Sequence, residues 1–297
     1  MPKKVLITGG SGFIGRNVYE YLRYKPQYEV FAPDSKELNC IEEKEVKNYL
    51  EKNNIDIVLN FAVYGDGIDK SKDGTKVLEY NLRMYYNFAK YSNLYEKMVY
   101  AGSGAEYDKR YSIKDVKEEE LICRSLPVDQ YGLMKRIVGE HIETSDNIYN
   151  LRLFGIFGKY EYYPVKFISN VCCKAICDLP LTIRQDVYFD YLWIDDFLMM
   201  LDRFMESKTF RHHTYNACHG KKILLSDICK TVNEISGKNN KIIICKEGLA
   251  NEYTGNNERI ISEMTDFNCT SYYDSIDELY KWYYDNKRTI DIYKLIY

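Results

Sequence analysis

The sequence has no apolar run long enough to cross a membrane, no C-x-x-C pair, no internal repeat and no proline- or glycine-rich linker. It has no basic excess either: 41 Lys and Arg stand against 44 Asp and Glu, a formal net charge of −3. The first absence excludes a spanning helix, and the charge balance removes the electrostatic basis for binding nucleic acid. Only Val5 to Ile7 lie between the opening lysines and Thr8, too few apolar residues for a secretory leader. The nine cysteines are odd in number and scattered, so reduced thiols and a cytoplasmic location are expected. Cys172, Cys173 and Cys177 fall in an apolar helical pattern and should pack as small hydrophobes. His212, His213, Cys218 and His219 match no standard ligand spacing, so no metal is expected. What remains is a chain of 297 residues, enough for one or two domains with a large core.

The glycines that are present cluster at the start. Residues 3–18 read KKVLITGGSGFIGRNV. Val5, Leu6 and Ile7 suit a strand buried on both faces. Beyond Gly15, Val18, Tyr19 and Leu22 take helical spacing. Glycines at such a junction predict dinucleotide binding. Gly9 permits a tight turn, Gly12 lets the backbone approach a pyrophosphate, and Gly15 lets the helix pack on the strand. The unpaired N–H groups at the helix start then face the anion. The spacing reads either as G-x-x-G-x-x-G from Gly9 or as G-x-G-x-x-G from Gly10.

The first half alternates. Strands are predicted at 4–7, 29–32, 57–61, 97–101 and 148–153, and helices at 14–24, 42–52, 75–91 and 129–144. That order implies an α/β fold, a Rossmann-type doubly wound parallel sheet with right-handed crossovers, and a ligand at the carboxyl ends of the strands. After residue 155 the alternation fails. Helices are predicted at 167–177, 195–205, 224–236 and 276–284, with a strand at 190–194. We expect a dinucleotide-binding domain over 1–165 with a return segment near 186–215. A smaller, mixed substrate domain would occupy most of 166–297. The charge run Lys117–Glu120 predicts a solvated loop.

Tyr131 and Lys135 lie one helical turn apart. An ammonium there lowers the phenol's pKa and fits Tyr131 for general acid/base work. The pattern alone selects nothing, because 30 tyrosines also produce it at Tyr21/Lys25, Tyr86/Lys90, Tyr162/Lys166 and Tyr283/Lys287. Ser103 makes the selection. It follows the fourth strand at the ligand edge, and its hydroxyl and that of Tyr131 can clamp one carbonyl oxygen.

With these pieces in place, the chain resembles the extended short-chain dehydrogenase/reductase family, in its nucleotide-sugar epimerase/dehydratase/reductase branch. The matching residues are Thr8 to Gly15, Leu59 to Ala62, Asn81, Ser103, Tyr131 with Lys135, Leu151 to Gly155, Phe189 to Asp196, and Leu279 to Tyr283. The resemblance implies roles. Gly9, Gly12, Phe13, Ile14, Gly15 and the backbone of Ala62 would line the cofactor. Ser103 would polarise the substrate oxygen, Tyr131 would move the proton, and Lys135 would bond the nicotinamide ribose. Asn81 would support a water or backbone link to Lys135, or be a polar residue on a helix face. Arg259 would hold the nucleotide diphosphate, or be an exposed arginine. The cofactor is NAD(P)(H). Asp34 favours NAD through the ribose hydroxyls, Ser35 and Lys36 favour NADP through a 2′-phosphate, and Asn39 stands where many members carry aspartate near the adenine. NADP is placed ahead. A homodimer is implied through the helices at 75–91 and 129–144.

Two absences narrow the reaction. The family's dehydratases carry an Asp-Glu pair just after the serine position, where this chain has Gly104 and Ala105. Its epimerase-reductases carry a cysteine where this chain has Ala105. Chemistry at the carbonyl itself is left: reduction of a nucleotide-linked 4-keto sugar or, as the alternative, a 4-epimerase. Gly155 in place of the usual asparagine, and Phe189 in place of an arginine, weaken the epimerase reading. A third possibility is a non-catalytic dinucleotide sensor on the same fold.

Overall fold

A computed structural model describes residues 1–65, 72–207, 209–264 and 266–296. In chain order the first half contains β1 (Lys3–Thr8), α1 (Phe13–Leu22), β2 (Tyr28–Phe31), α2 (Glu43–Asn53), β3 (Ile57–Asn60), α3 (Val77–Ala89), β4 (Lys97–Ser103), β5 (Ile113–Val116), α4 (Gln130–Ile142) and β6 (Ile148–Leu153). Then follow β7 (Gly155–Phe157), α5 (Phe167–Ile176), β8 (Leu181–Asp186), β9 (Tyr188–Phe189), β10 (Tyr191–Trp193), α6 (Ile194–Glu206) and β11 (Thr214–Ala217). The chain continues with β12 (Ile223–Leu224), α7 (Leu225–Ser236), β13 (Ile242–Leu249), β14 (Tyr253–Gly255), α8 (Glu258–Ile261) and α9 (Tyr272–Asp285).

Six strands form the central sheet in the order β11-β6-β4-β3-β1-β2, and every pairing is parallel. The sequence explains why both faces are covered. Successive residues of a strand point to opposite faces. Val5, Ile7, Ile57 and Leu59 enter one apolar cluster, while Leu6 and Val58 enter the other. The first cluster also takes Val18 and Leu22 of α1 with Phe197 and Leu201 of α6. The second takes Val46 and Leu50 of α2, Tyr85 and Phe88 of α3, and Met134 and Val138 of α4. Each such side chain contributes roughly 1.5–3 kcal/mol on burial.

The chain leaves β1 toward β2 and then crosses back over β1 to β3. The strand order therefore reverses beside the carboxyl end of β1, where the glycine loop lies. That crevice is where ligands of open parallel sheets bind.

Three expectations are corrected. The sheet has a sixth strand, β11, which the sequence reading did not find. Its four residues, Thr-Tyr-Asn-Ala, carry no apolar run, and they are buried because Asn216 finds polar partners. The strand expected at 190–194 is β10, which pairs with β7 outside the six-stranded sheet. The charge run at Lys117–Glu120 enters a 3₁₀ turn over Glu118–Cys123, and Glu118 is buried. Its carboxylate accepts the backbone N–H of Asn216 at 2.7 Å. Cys172 and Cys173 are fully buried, as expected, and all nine cysteines are free. Among the described residues no helix is long and apolar enough to cross a membrane, and no group of ligands could hold a metal ion.

The geometry of the loop supports the G-x-x-G-x-x-G reading. Gly9 has φ +69°, and a Cβ on Gly15 would lie 2.2 Å from the Gly9 carbonyl oxygen. Gly15→Ala should therefore push α1 away from β1. We expect a stability loss of about 1–3 kcal/mol by denaturant unfolding and loss of NADPH binding in a fluorescence titration.

Candidate functional site

The site begins with a turn. Ser103 ends β4, and its Oγ accepts the N–H of Ala105 at 3.1 Å. Its own N–H donates to Glu106 Oε1 at 3.2 Å, which completes a capping box. Glu106 is fully buried and pairs with Arg152 of β6 at 2.6 Å. Arg152 also donates to the Tyr107 hydroxyl at 3.0 Å, and that hydroxyl donates to Asn216 Oδ1 at 2.9 Å. Burial opposes the charge of Arg152, yet the Glu106 carboxylate beside it holds its pKa above the ordinary value.

The second piece is the start of α4. Asp129 caps it by accepting the N–H of Gly132 at 2.8 Å. Tyr131 and Lys135 follow one turn apart, and the Lys135 ammonium lies 5.6 Å from the Tyr131 ring centre. Lys135 is buried and donates to the carbonyl of Ala101 on β4. Burial pushes its pKa down to about 7, against the pull of the Glu106 carboxylate.

The third piece is the glycine loop. The N–H of Gly12 donates to the Gly9 carbonyl at 3.0 Å, and α1 starts with no side-chain cap and no acidic residue in its first turn. Its leading N–H groups therefore lack intrahelical partners, as an anion-binding helix start requires. Thr8 Oγ1 accepts the N–H groups of Phe61 and Ala62, each at 3.1 Å, and locks the ends of β1 and β3 together.

Two adjoining cavities join these pieces. One, of about 620 Å³, runs from Gly9, Gly12, Phe13, Ile14 and Gly15 to Ser103, Tyr131 and Lys135. The other, of about 810 Å³, starts at Ser103 and Tyr131 and opens past Phe154, Phe189 and Tyr253 toward Lys109 and Lys166. An uncapped helix start, an approachable backbone and a buried lysine fit an NAD(P) molecule laid along the first cavity.

The other anticipated residues are placed as follows. Asn81 is buried on α3, accepts the Tyr64 N–H at 2.9 Å, and donates to the carbonyls of Tyr64 and Val77 at 2.8 and 2.7 Å. It thereby holds the backbone that follows β3. Asp34, Ser35 and Lys36 form an exposed loop after β2, where Asp34 Oδ1 accepts the N–H groups of Lys36 and Glu37. Asn39 accepts the N–H of Ile41 at 3.2 Å. Arg259 is neither in the cavity lining nor fully exposed. It donates to the Thr214 carbonyl at 3.2 Å and pairs with Glu119 at 3.0 Å and Glu118 at 3.5 Å. Its partners here are the protein's own carboxylates, the buried Glu118 among them.

Among the competing tyrosine–lysine pairs, Tyr21 and Lys25 both bond Asp202. Tyr162 and Lys166 do line the first cavity, but Tyr162 precedes α5 and Lys166 is its N-cap, so they do not share a helix. Tyr253 is the residue that sequence reasoning missed. It sits on β14, a strand of three residues in a polar stretch, and only its pairing with β5 and β9 carries it to Ser103.

Known proteins resemble this chain in sequence and in fold. A model of the NAD dependent epimerase/dehydratase family matches residues 5–218. The chain is 25% identical to a GDP-6-deoxy-D-talose 4-dehydrogenase of Aggregatibacter actinomycetemcomitans, over 94% of this chain and 97% of that one. It is 31% identical to a GDP-L-colitose synthase of Yersinia pseudotuberculosis over 54% of this chain and 55% of the relative. In fold it resembles the NADP-bound GDP-mannoheptose C4 reductase of Campylobacter jejuni, with a TM-score of 0.80, 17% identity, and coverage of 95% of this chain and 98% of that one.

Two outcomes follow from the buried charges. Arg152→Met strands the Glu106 carboxylate and should cost about 3–5 kcal/mol in denaturant unfolding, with loss of activity. For Lys135 the folded chain releases the proton near pH 7, whereas an unfolded lysine holds it to about 10.4. Between those values the unfolded state binds more protons, so this group adds stability as pH rises. Lys135→Met should be most favoured over the wild type at the acid end of that window. The advantage should shrink toward the alkaline end in urea titrations at stepped pH.

Proposed function

The chain belongs to the NAD-dependent epimerase/dehydratase family, and on that premise we propose that it reduces the ketone of a nucleotide-linked 4-keto-6-deoxy sugar. The observation that carries the reading is the meeting of Ser103, Tyr131 and Lys135 where the two cavities join. Bound NAD(P)H supplies the hydride. The Ser103 hydroxyl and the Tyr131 phenol hydrogen-bond the ketone oxygen and stabilise the negative charge that develops on it. Tyr131 passes its proton to that oxygen. Lys135 bonds the nicotinamide ribose and, when charged, favours the phenolate left on Tyr131.

The surroundings support ketone chemistry over water elimination. A side chain at position 104 has no room: a Cβ there would lie 2.6 Å from the Tyr253 hydroxyl oxygen and 2.9 Å from the Phe154 ring. The buried carboxylate two residues beyond Gly104, Glu106, is committed to Arg152 and to the Ser103 N–H. The exposed ammonium groups of Lys109 and Lys166 line the outer cavity and suit a sugar nucleotide's diphosphate, the part first given to Arg259. Ser35 and Lys36 behind β2 suit a 2′-phosphate, so NADP is the proposed form. The curated relative that matches over nearly the whole chain is named for a reaction at C4 of a GDP-linked deoxy sugar.

The test is consumption of NADPH by the purified protein with a panel of nucleotide 4-keto sugars. We expect steady oxidation with at least one, and a fall in kcat of about 100- to 10,000-fold in Tyr131→Phe. Interconversion of hydroxyl epimers with tightly retained NAD⁺ and no net oxidation would replace this reading with a 4-epimerase. Unchanged biological output in Tyr131→Phe would remove catalysis altogether.

A further inference from the structure

We propose that Tyr100 is a positioning residue: the face of its ring holds the Lys135 ammonium charged and in place beside the cofactor cavity. What this does for turnover rests on the ketone-reduction reading, whereas the contact itself does not. Tyr100 lies on β4 and is buried. The Lys135 Nζ stands 4.3 Å from the centre of its ring, closer than the 5.6 Å to the Tyr131 ring. The next residue of the strand, Ala101, accepts a proton of the same ammonium through its carbonyl. Two successive residues of β4 thus fix the head of a lysine that comes from α4. The Tyr85 ring meets Tyr100 edge to face at 5.3 Å, and the Tyr100 hydroxyl donates to Met134 Sδ at 3.4 Å. Those contacts set the plane of the ring.

A buried ammonium has lost its water, and the negative face of an aromatic ring offsets part of that loss. The attraction exists only for the charged form, so it holds the proton on the lysine against burial. Burial pushes the Lys135 pKa down to about 7, so near neutral pH a modest contact decides how much of the lysine is charged. The other groups around it have partners of their own. Glu106, in the turn after β4, opposes loss of the proton, but its carboxylate bonds Arg152 of β6 and the Ser103 N–H. Tyr131 shares the lysine's helix. Tyr85 of α3 packs on Tyr100 and bonds His141 Nδ1 at 2.8 Å. Tyr100 itself stays a neutral phenol, because burial holds its pKa well above the ordinary value. The attraction is therefore that of a ring face, not of an ion pair. A charged Lys135 favours the phenolate left on Tyr131. Tyr100 lines neither cavity, so it acts on the reaction through the lysine.

The test replaces Tyr100 in the full chain by phenylalanine and by a series of increasingly fluorinated phenylalanines, which keep the ring's shape while fluorine drains its negative face. NMR of isotope-labelled lysine reads the Lys135 titration, Lys135→Met assigns the signal, and the melting temperature checks folding. Tyr100→Phe should titrate with the wild type. Each added fluorine should lower the Lys135 pKa further, by about one unit over the series. Tyr100→Leu, which has no ring, should match the most fluorinated variant. In turnover with NADPH and a nucleotide 4-keto sugar, the alkaline limb of kcat should move down with the lysine, with KM for the sugar little changed. A Lys135 pKa that ignores fluorination overturns the assignment and leaves the ketone-reduction reading standing. A pKa that falls while the alkaline limb stays put overturns the effect on turnover. A protein that turns over no 4-keto sugar removes the reading, and the titration alone then decides the contact.

Discussion

The Glu106–Arg152 pair is the contact on which the rest of the site depends. Its two charges lie 2.6 Å apart, and both side chains are almost wholly out of water. A lone buried carboxylate would be prohibitive here, and Arg152 from the adjoining strand removes that cost. With its charge satisfied, Glu106 can accept the Ser103 N–H and close the turn that presents the serine. The same carboxylate lies near enough to Lys135 to oppose the loss of its proton. One ion pair thus supports from behind two of the three groups to which we assign the reaction. Such a pair adds little net stability against an apolar substitute, and its contribution is to specify a single geometry.

Around that pair the fold brings distant segments to one point. The glycine loop comes from the first crossover, Ser103 from the end of β4, Tyr131 and Lys135 from α4, and Tyr253 from a small sheet whose four strands come from separate parts of the chain. The central sheet supplies rigidity, and the strand ends carry the candidate site. This division explains why Ser103 and the glycine loop sit at strand ends, far along the chain from Tyr131 and Lys135 on α4.

How much of this was legible in the sequence depended on where the information lay. Five of the six central strands read correctly because they are apolar runs with local helices between them. The glycine loop, Ser103 and the Tyr131/Lys135 pair, which line the two adjoining cavities, could be singled out because each sits at a strand or helix end with a local signature. β11 was not readable, since its burial rests on Asn216 bonding Glu118, Val116 and Tyr107 across the fold. Arg259 illustrates the same limit. A positive charge near a binding region suggests a phosphate, but the chain itself supplies the partner, a glutamate in a run that looked solvated. Tyr253 was one of 30 tyrosines, in a stretch with no periodicity, and only strand pairing singles it out.

The central claim is that this assembly delivers hydride to a sugar ketone and protonates the oxygen formed. Transfer of deuterium from NADPH labelled at the reactive carbon of its nicotinamide tests it most directly. The account predicts deuterium on carbon four of the product sugar, on one face only, with one cofactor oxidised per sugar. Label that stays on the cofactor while the sugar changes configuration, or label that appears at any other carbon, would contradict it.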